Sequence, residues 1–285
     1  MNPDGIAVAE RAAALVCLYQ AAGAAFFVVL FQAQLPEVRG RICRLGAGTA
    51  LCGIALVLLQ PPLMAARMAG DFAGLFNGPL LRVALHSSNG AAHAVQVLGL
   101  SLIVIGLRSQ RVTAWLAVLG AALAAGALVL TGHTSVRPQR ALLASLLSVH
   151  LLIVAFWFGA LRPLWLAVQH EKLADAARVL RRFSRLAAWL VPCIALAGLS
   201  LAWLLIGSWS VLRRAYGLLL VAKLCVFVLL MGLAALNRWR YLPGLAAGSP
   251  PARRALQRSI VAEYLLIALV LAMTAALTML FSPED

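Results

Sequence analysis

Marking the charged positions along the chain leaves eight long, almost uncharged apolar stretches, at about residues 12–31, 45–63, 83–107, 112–131, 141–161, 186–207, 216–236 and 259–281. Each is close to the roughly 20 apolar residues that cross about 30 Å of hydrocarbon. They are twice the length of a barrel strand and lack strict apolar/polar alternation. Helices satisfy their own backbone groups, so the pattern predicts an all-α polytopic membrane protein, a bundle of about eight transmembrane helices. The whole chain, 1–285, reads as a single transmembrane helical domain.

Between the spans the connections are short. Residues 170–185 carry Leu173, Ala176, Ala177, Leu180 and Phe183 at near-helical spacing among basic residues, which predicts a short helix on the membrane surface. Residues 238–258 hold Pro243, Gly244, Gly248, Pro250 and Pro251 and read as a turn-rich loop. Asp4 and Glu10 precede Arg11, unlike the basic start of a cleavable signal peptide, so the first span is expected to remain as an anchor.

Composition agrees with the membrane as solvent, since 63% of residues are hydrophobic and 12% charged. Sixteen of the 24 lysines and arginines fall on one set of alternate connections, which places those connections in the cytoplasm and both termini in the periplasm. The net charge of +15 is spread over short loops without interleaved aromatics, a distribution that suits anionic lipid and excludes nucleic acid as a partner. Five isolated cysteines form no C-x-x-C pair and imply neither disulfide nor thiolate cluster.

Candidate chemistry lies in the polar residues inside the spans. His86, Asn89, His93 and Gln96 are spaced 3, 4 and 3 apart, which on one continuous helix makes a stripe facing the bundle interior. His86 and His93 are about 10 Å apart along such a helix, too far to share an ion. The spacing therefore predicts two layers: an outer one of His86 with His133, and an inner one of His93 with His150, about 13 Å deep in the fifth span. Neutral imidazoles suit copper, zinc, iron or haem iron. Asn89 and Gln96 are expected to support the ligands, and Met64 and Met68, with Met279 on the same side, add thioethers that favour Cu(I). Lys223 and Glu263 lie inside the seventh and eighth spans at depths about 10 Å apart, which predicts no direct pair. Glu263 is expected near Arg238 or Arg258.

Several ordered stretches carry a resemblance: Thr131-Gly132-His133, then His150 through Trp157 to Gly159, then Arg182-Phe183-Ser184-Arg185-Leu186, then Tyr216-Gly217 through Lys223, Asn237-Arg238 and Glu263. In order and spacing these resemble the copper resistance protein D family of bacterial inner-membrane proteins, from about Gly132 onward. The first hundred residues resemble it in hydropathy and length only. Ala160 stands where a second glycine is expected. The resemblance implies a multi-pass inner-membrane protein, not an enzyme, that carries copper, as Cu(I) or Cu(II), from periplasm toward cytoplasm. With no periplasmic copper domain attached, a separate periplasmic copper-binding donor protein is the expected partner. The alternative is a cytochrome or oxidoreductase holding haem b, with His93 and His150 as axial ligands; Gly90, Ala91, Ala92 and Ala94 leave room for a porphyrin. No phosphate-binding G-x-x-x-x-G-K-[ST] loop is present, so ATP coupling is not expected.

Overall fold

The computed structural model describes residues 3–108, 114–131, 140–205 and 215–280. These residues fold into helices, with no strand among them: α1 (Pro3–Phe31), α2 (Arg39–Ala69), α3 (Gly78–His86), α4 (Ser88–Arg108), α5 (Ala114–Gly126), α6 (Arg140–His170), α7 (Leu173–Leu205), α8 (Ala215–Leu236), α9 (Leu242–Ala246) and α10 (Pro250–Leu280). Among the described residues seven helices are long and apolar enough to cross a membrane, and the predicted fourth span is a shorter apolar helix, Ala114–Leu130, whose last turn tightens to a 3-10 helix at Ala127–Leu130. The protein is an all-α, multi-pass membrane protein.

α1 is the central helix. It packs on α2, α4, α5, α6 and α10, and its middle is sealed by small residues: Ala21, Ala22, Ala24 and Ala25 are fully buried. Lipid tails are as apolar as leucine, so helices in a membrane are held by close approach and interhelical hydrogen bonds rather than by escape from water. Gly23 on α1 and Gly159 on α6 provide that approach. A Cβ on Gly23 would overlap the Ala155 carbonyl and Gly159 Cα, and one on Gly159 would overlap Gly23 in turn. Beside the crossing the Gln20 Nε2 donates to the Gly159 carbonyl at 3.0 Å. Outer helices are looser: α8 packs on α10 and on a π-helical turn at Asn237–Tyr241, and its Leu218, Val221, Leu224, Val228 and Leu229 are exposed, the pattern of a lipid-facing surface.

Three predicted connections are different in the structure. The third span does not begin at Val83. Ser87 adopts an extended backbone, φ −75° and ψ 166°, and its Oγ accepts from the Gly90 N–H, so it caps α4 and separates it from α3. Residues 170–185 are not a separate surface helix. α6 ends at His170, Glu171 and Lys172 form the turn, and α7 then runs unbroken from Leu173 into the sixth span, since no glycine or proline interrupts it before Pro192. Residues 238–258 are largely helical rather than a loop: the π-helical turn leads into α9, the chain reverses at Gly248 with φ +78°, and Pro250 opens α10, where a missing N–H costs nothing.

Candidate functional site

A cavity of about 480 Å³ lies at one end of the bundle, among the beginnings of α1, α4, α6 and α8 and the ends of α2, α5 and α10. Helical spacing brings polar groups to it. On α1, Ala7, Arg11, Leu15 and Tyr19 recur every four residues and form one wall together with Glu10. On α2, Gln60, Met64 and Arg67 follow the same rule. α4 contributes Asn89 and His93, α8 Lys223, and α10 Thr274 and Met279.

The Gln60 amide ties this wall together. Its Oε1 accepts from Arg11 at 2.9 Å and its Nε2 donates to Glu10 Oε1 at 3.3 Å, so one neutral group bridges a cation and an anion. Gln60 precedes Pro61 and Pro62, which cannot donate to the preceding turn; this opens the backbone ladder of α2 beside the cavity. At the rim Arg67 pairs with Asp4 at 2.7 Å and donates to the Met279 carbonyl at 3.1 Å, joining the ends of three helices.

His93 faces this cavity, and its Nδ1 is buried with no hydrogen-bond partner among the described residues. Arg11 lies near enough for its charge to act on the ring. His150 is a second imidazole with a buried, unpartnered Nδ1, but it is not on the cavity wall. It lies against α7 at Gly198, where a Cβ would sit 3.4 Å from Cε1 and 3.5 Å from Nδ1, ordinary van der Waals contact. Its neighbours Leu147 and Leu151 line the cavity, and Lys223 acts on it electrostatically.

The other predicted residues are distributed more widely. The break at Ser87 removes His86 from the α4 stripe: it ends α3, exposed, with its Nδ1 donating to the Arg82 carbonyl at 2.9 Å. His133 lies outside the described residues. Asn89 and Met64 are on the cavity wall, Gln96 is buried further along α4, and Met68 is exposed beyond the cavity. Among the described residues no three or more histidine, cysteine or acidic side chains gather as a metal cluster.

Glu263 and Trp157 belong to a second cavity, of about 410 Å³, towards the opposite end of α10. Glu263 is 3% exposed and accepts from the Asn237 Nδ2, with the Trp157 indole beside it. The π-helical turn beginning at Asn237 is a form often found at functional positions. Neither predicted arginine meets Glu263 as an ion pair: Arg238 also lines the cavity but donates to the Ser184 carbonyl at 2.9 Å. Eleven residues separate Glu263 from Thr274, about 16 Å of helix, so Lys223 and Glu263 occupy different cavities.

Marking spans from charge to charge does not single out Glu10, Arg11, Tyr19 or Gln60 as site residues, although all four line the cavity. The available signal was a glutamine isolated within an apolar run, at position 60 immediately before two prolines.

Comparison with known proteins places both halves of the chain. Residues 1–138 match the family model described as "Copper resistance protein D-like, N-terminal domain", and residues 177–277 match the model "Copper resistance protein D". The likeness therefore extends into the first hundred residues, where the sequence reading found agreement only in hydropathy and length. A curated relative, "Copper resistance protein D" of Pseudomonas syringae pv. tomato, is 28% identical over 264 residues, an alignment covering 84% of this chain and 83% of that protein. No solved structure matches. With the first of these models spanning α1 to α5 and the second most of α7 to α10, the chain belongs to the copper resistance protein D family.

Proposed function

We propose that the protein conducts copper through the bacterial inner membrane, from periplasm to cytoplasm, as part of copper homeostasis and resistance. One observation carries this reading. His93, whose Nδ1 is buried and without a hydrogen-bond partner among the described residues, lines a polar cavity to which the methionines Met64 and Met279 also contribute. Imidazole and thioether are donors that suit copper, and thioether suits Cu(I) above harder ions. A buried polar atom without a partner is costly, which makes the site receptive to a ligand that supplies one.

In this reading the described cavity opens to the periplasm, both termini lie on that side, and a periplasmic copper-binding protein delivers the ion. His86 and His133 serve as outer collecting groups, and Asn89 and Gln96 support the ligand helix. His150, the other imidazole with an orphaned nitrogen, is the next station inward. The cavity around Trp157 and Glu263 lies on the exit side. Copper is cargo rather than a resident cofactor, and the protein is not an enzyme; an existing gradient or a carrier partner drives net movement. The haem reading asks for two imidazoles facing one space. His93 opens on the outer cavity whereas His150 rests against α7, which favours copper.

The test is copper stoichiometry and an absorption spectrum on the purified protein under reducing conditions, followed by copper uptake into liposomes. His93→Ala and His150→Ala are expected to lose most binding and uptake, with His170→Ala unchanged. Equal behaviour of all three variants refutes the pathway, and a Soret band at one haem per chain replaces it with the cytochrome reading.

A further inference from the structure

Among the described residues the charge of the outer cavity is unbalanced: Arg11, Arg67 and Lys223 line it against one carboxylate, Glu10. Arg67 is neutralised by Asp4, and Glu10 and Arg11 share the Gln60 amide as a bridged pair. Lys223 remains. It forms no hydrogen bond or ion pair with any described residue, and the group it influences, His150, is no counter-ion. The same cavity wall includes the apolar side chains of Leu147, Leu151 and Leu220.

An ammonium in such surroundings needs a compensating anion, and it repels a bare copper ion. Arg11 reinforces the point: one of its nitrogens is used on Gln60, and the rest of its planar fork remains available for an oxyanion. A volume of about 480 Å³ is large for a naked ion but within the range of small-molecule sites.

We infer that the cavity takes copper together with a small polycarboxylate, one carboxylate held by Lys223 and another by Arg11, with the His93 imidazole completing the coordination of the metal that the anion carries. This rests on the copper reading above and specifies its substrate as an anionic Cu(II) chelate, held through carboxylate oxygen and imidazole nitrogen rather than through the thioethers. The same carboxylate-binding chemistry would accept the phosphate of an anionic lipid headgroup, and the experiment separates the two.

Full-length protein is reconstituted in phosphatidylcholine nanodiscs, and radiolabelled citrate is bound at equilibrium with and without equimolar Cu(II). Citrate is expected to bind and copper to tighten it. Lys223→Met is expected to weaken citrate about thirtyfold or more, as for removal of one partner of a buried charge pair. Lys223→Arg is expected to retain binding, which shows that the effect lies in the charge and not in folding. His93→Ala keeps citrate binding and loses its enhancement by copper. Absence of citrate binding, with copper alone still bound through His93, overturns the anionic chelate and leaves the copper reading intact; absence of both overturns both. An unchanged Lys223→Met, or displacement of citrate when phosphatidylglycerol is added to the nanodisc, also overturns the soluble polycarboxylate.

Discussion

Glu171, at the turn between α6 and α7, is 5% exposed, and its Oε1 accepts from the backbone N–H groups of Glu37 and Val38, each at 3.0 Å. These groups immediately precede α2, Val38 as its N-cap, at a helix start where amides lack intrahelical partners and the dipole favours an anion. One carboxylate thus joins helices 133 positions apart in sequence. Glu171→Ala is expected to destabilise the protein by about 1–3 kcal/mol, the range for stranding buried donors, and Glu171→Gln, which retains an accepting oxygen, by less; thermal denaturation in detergent measures both. Gln60→Leu removes the bridge between Glu10 and Arg11 and is expected to cost about 1–2 kcal/mol in the same assay. The histidines were legible as candidates because any imidazole within a span is conspicuous. Which of them share a space was not: the Ser87 cap that detaches His86, and the packing of His150 against α7 at Gly198, depend on backbone conformation and neighbouring helices.

Where two helices cross, the sequence gives less warning still. Gly23 and Gly159 bring α1 and α6 to backbone contact, and the Gln20 bond to the Gly159 carbonyl fixes their register. Gly159→Val is expected to force the helices apart, costing about 1–3 kcal/mol as overpacking does, and to lower the yield of folded protein on gel filtration. Ala160, where a second glycine was expected, is fully buried beside this crossing. The all-helical, multi-pass character and the order of the apolar segments were readable because length and hydropathy are set by the bilayer, although the fourth segment forms a shorter helix than expected. Span ends were not, because counting from charge to charge stops a helix at the first arginine, whereas α7 continues through Arg178, Arg181, Arg182 and Arg185, all adequate helix formers. Arg253 illustrates the further use of such residues: its guanidinium donates to the Val168 and Gln169 carbonyls, each at 2.8 Å, and so closes the open end of α6.

At the scale of the molecule, among the described residues, one cavity rich in polar groups around His93 and another, largely apolar, around Glu263 lie towards opposite ends of α10. The orientation proposed from the distribution of basic residues puts the first in the periplasm. Fusing alkaline phosphatase to either terminus is accordingly expected to give active enzyme, and a fluorescent protein that matures only in the cytoplasm is expected to stay dark; the reverse pattern inverts the entire pathway.

Lys223 is carried by α8, the span with the fewest buried residues, which the rest of the bundle touches mainly along α10 and the π-helical turn. Most of what surrounds this helix is therefore acyl chain, and the tilt that sets the height of its ammonium answers to bilayer thickness as much as to protein. A lipid of shorter chain length changes the mouth of the polar cavity without altering a single residue, so the composition of the host membrane becomes an adjustable parameter of ligand entry.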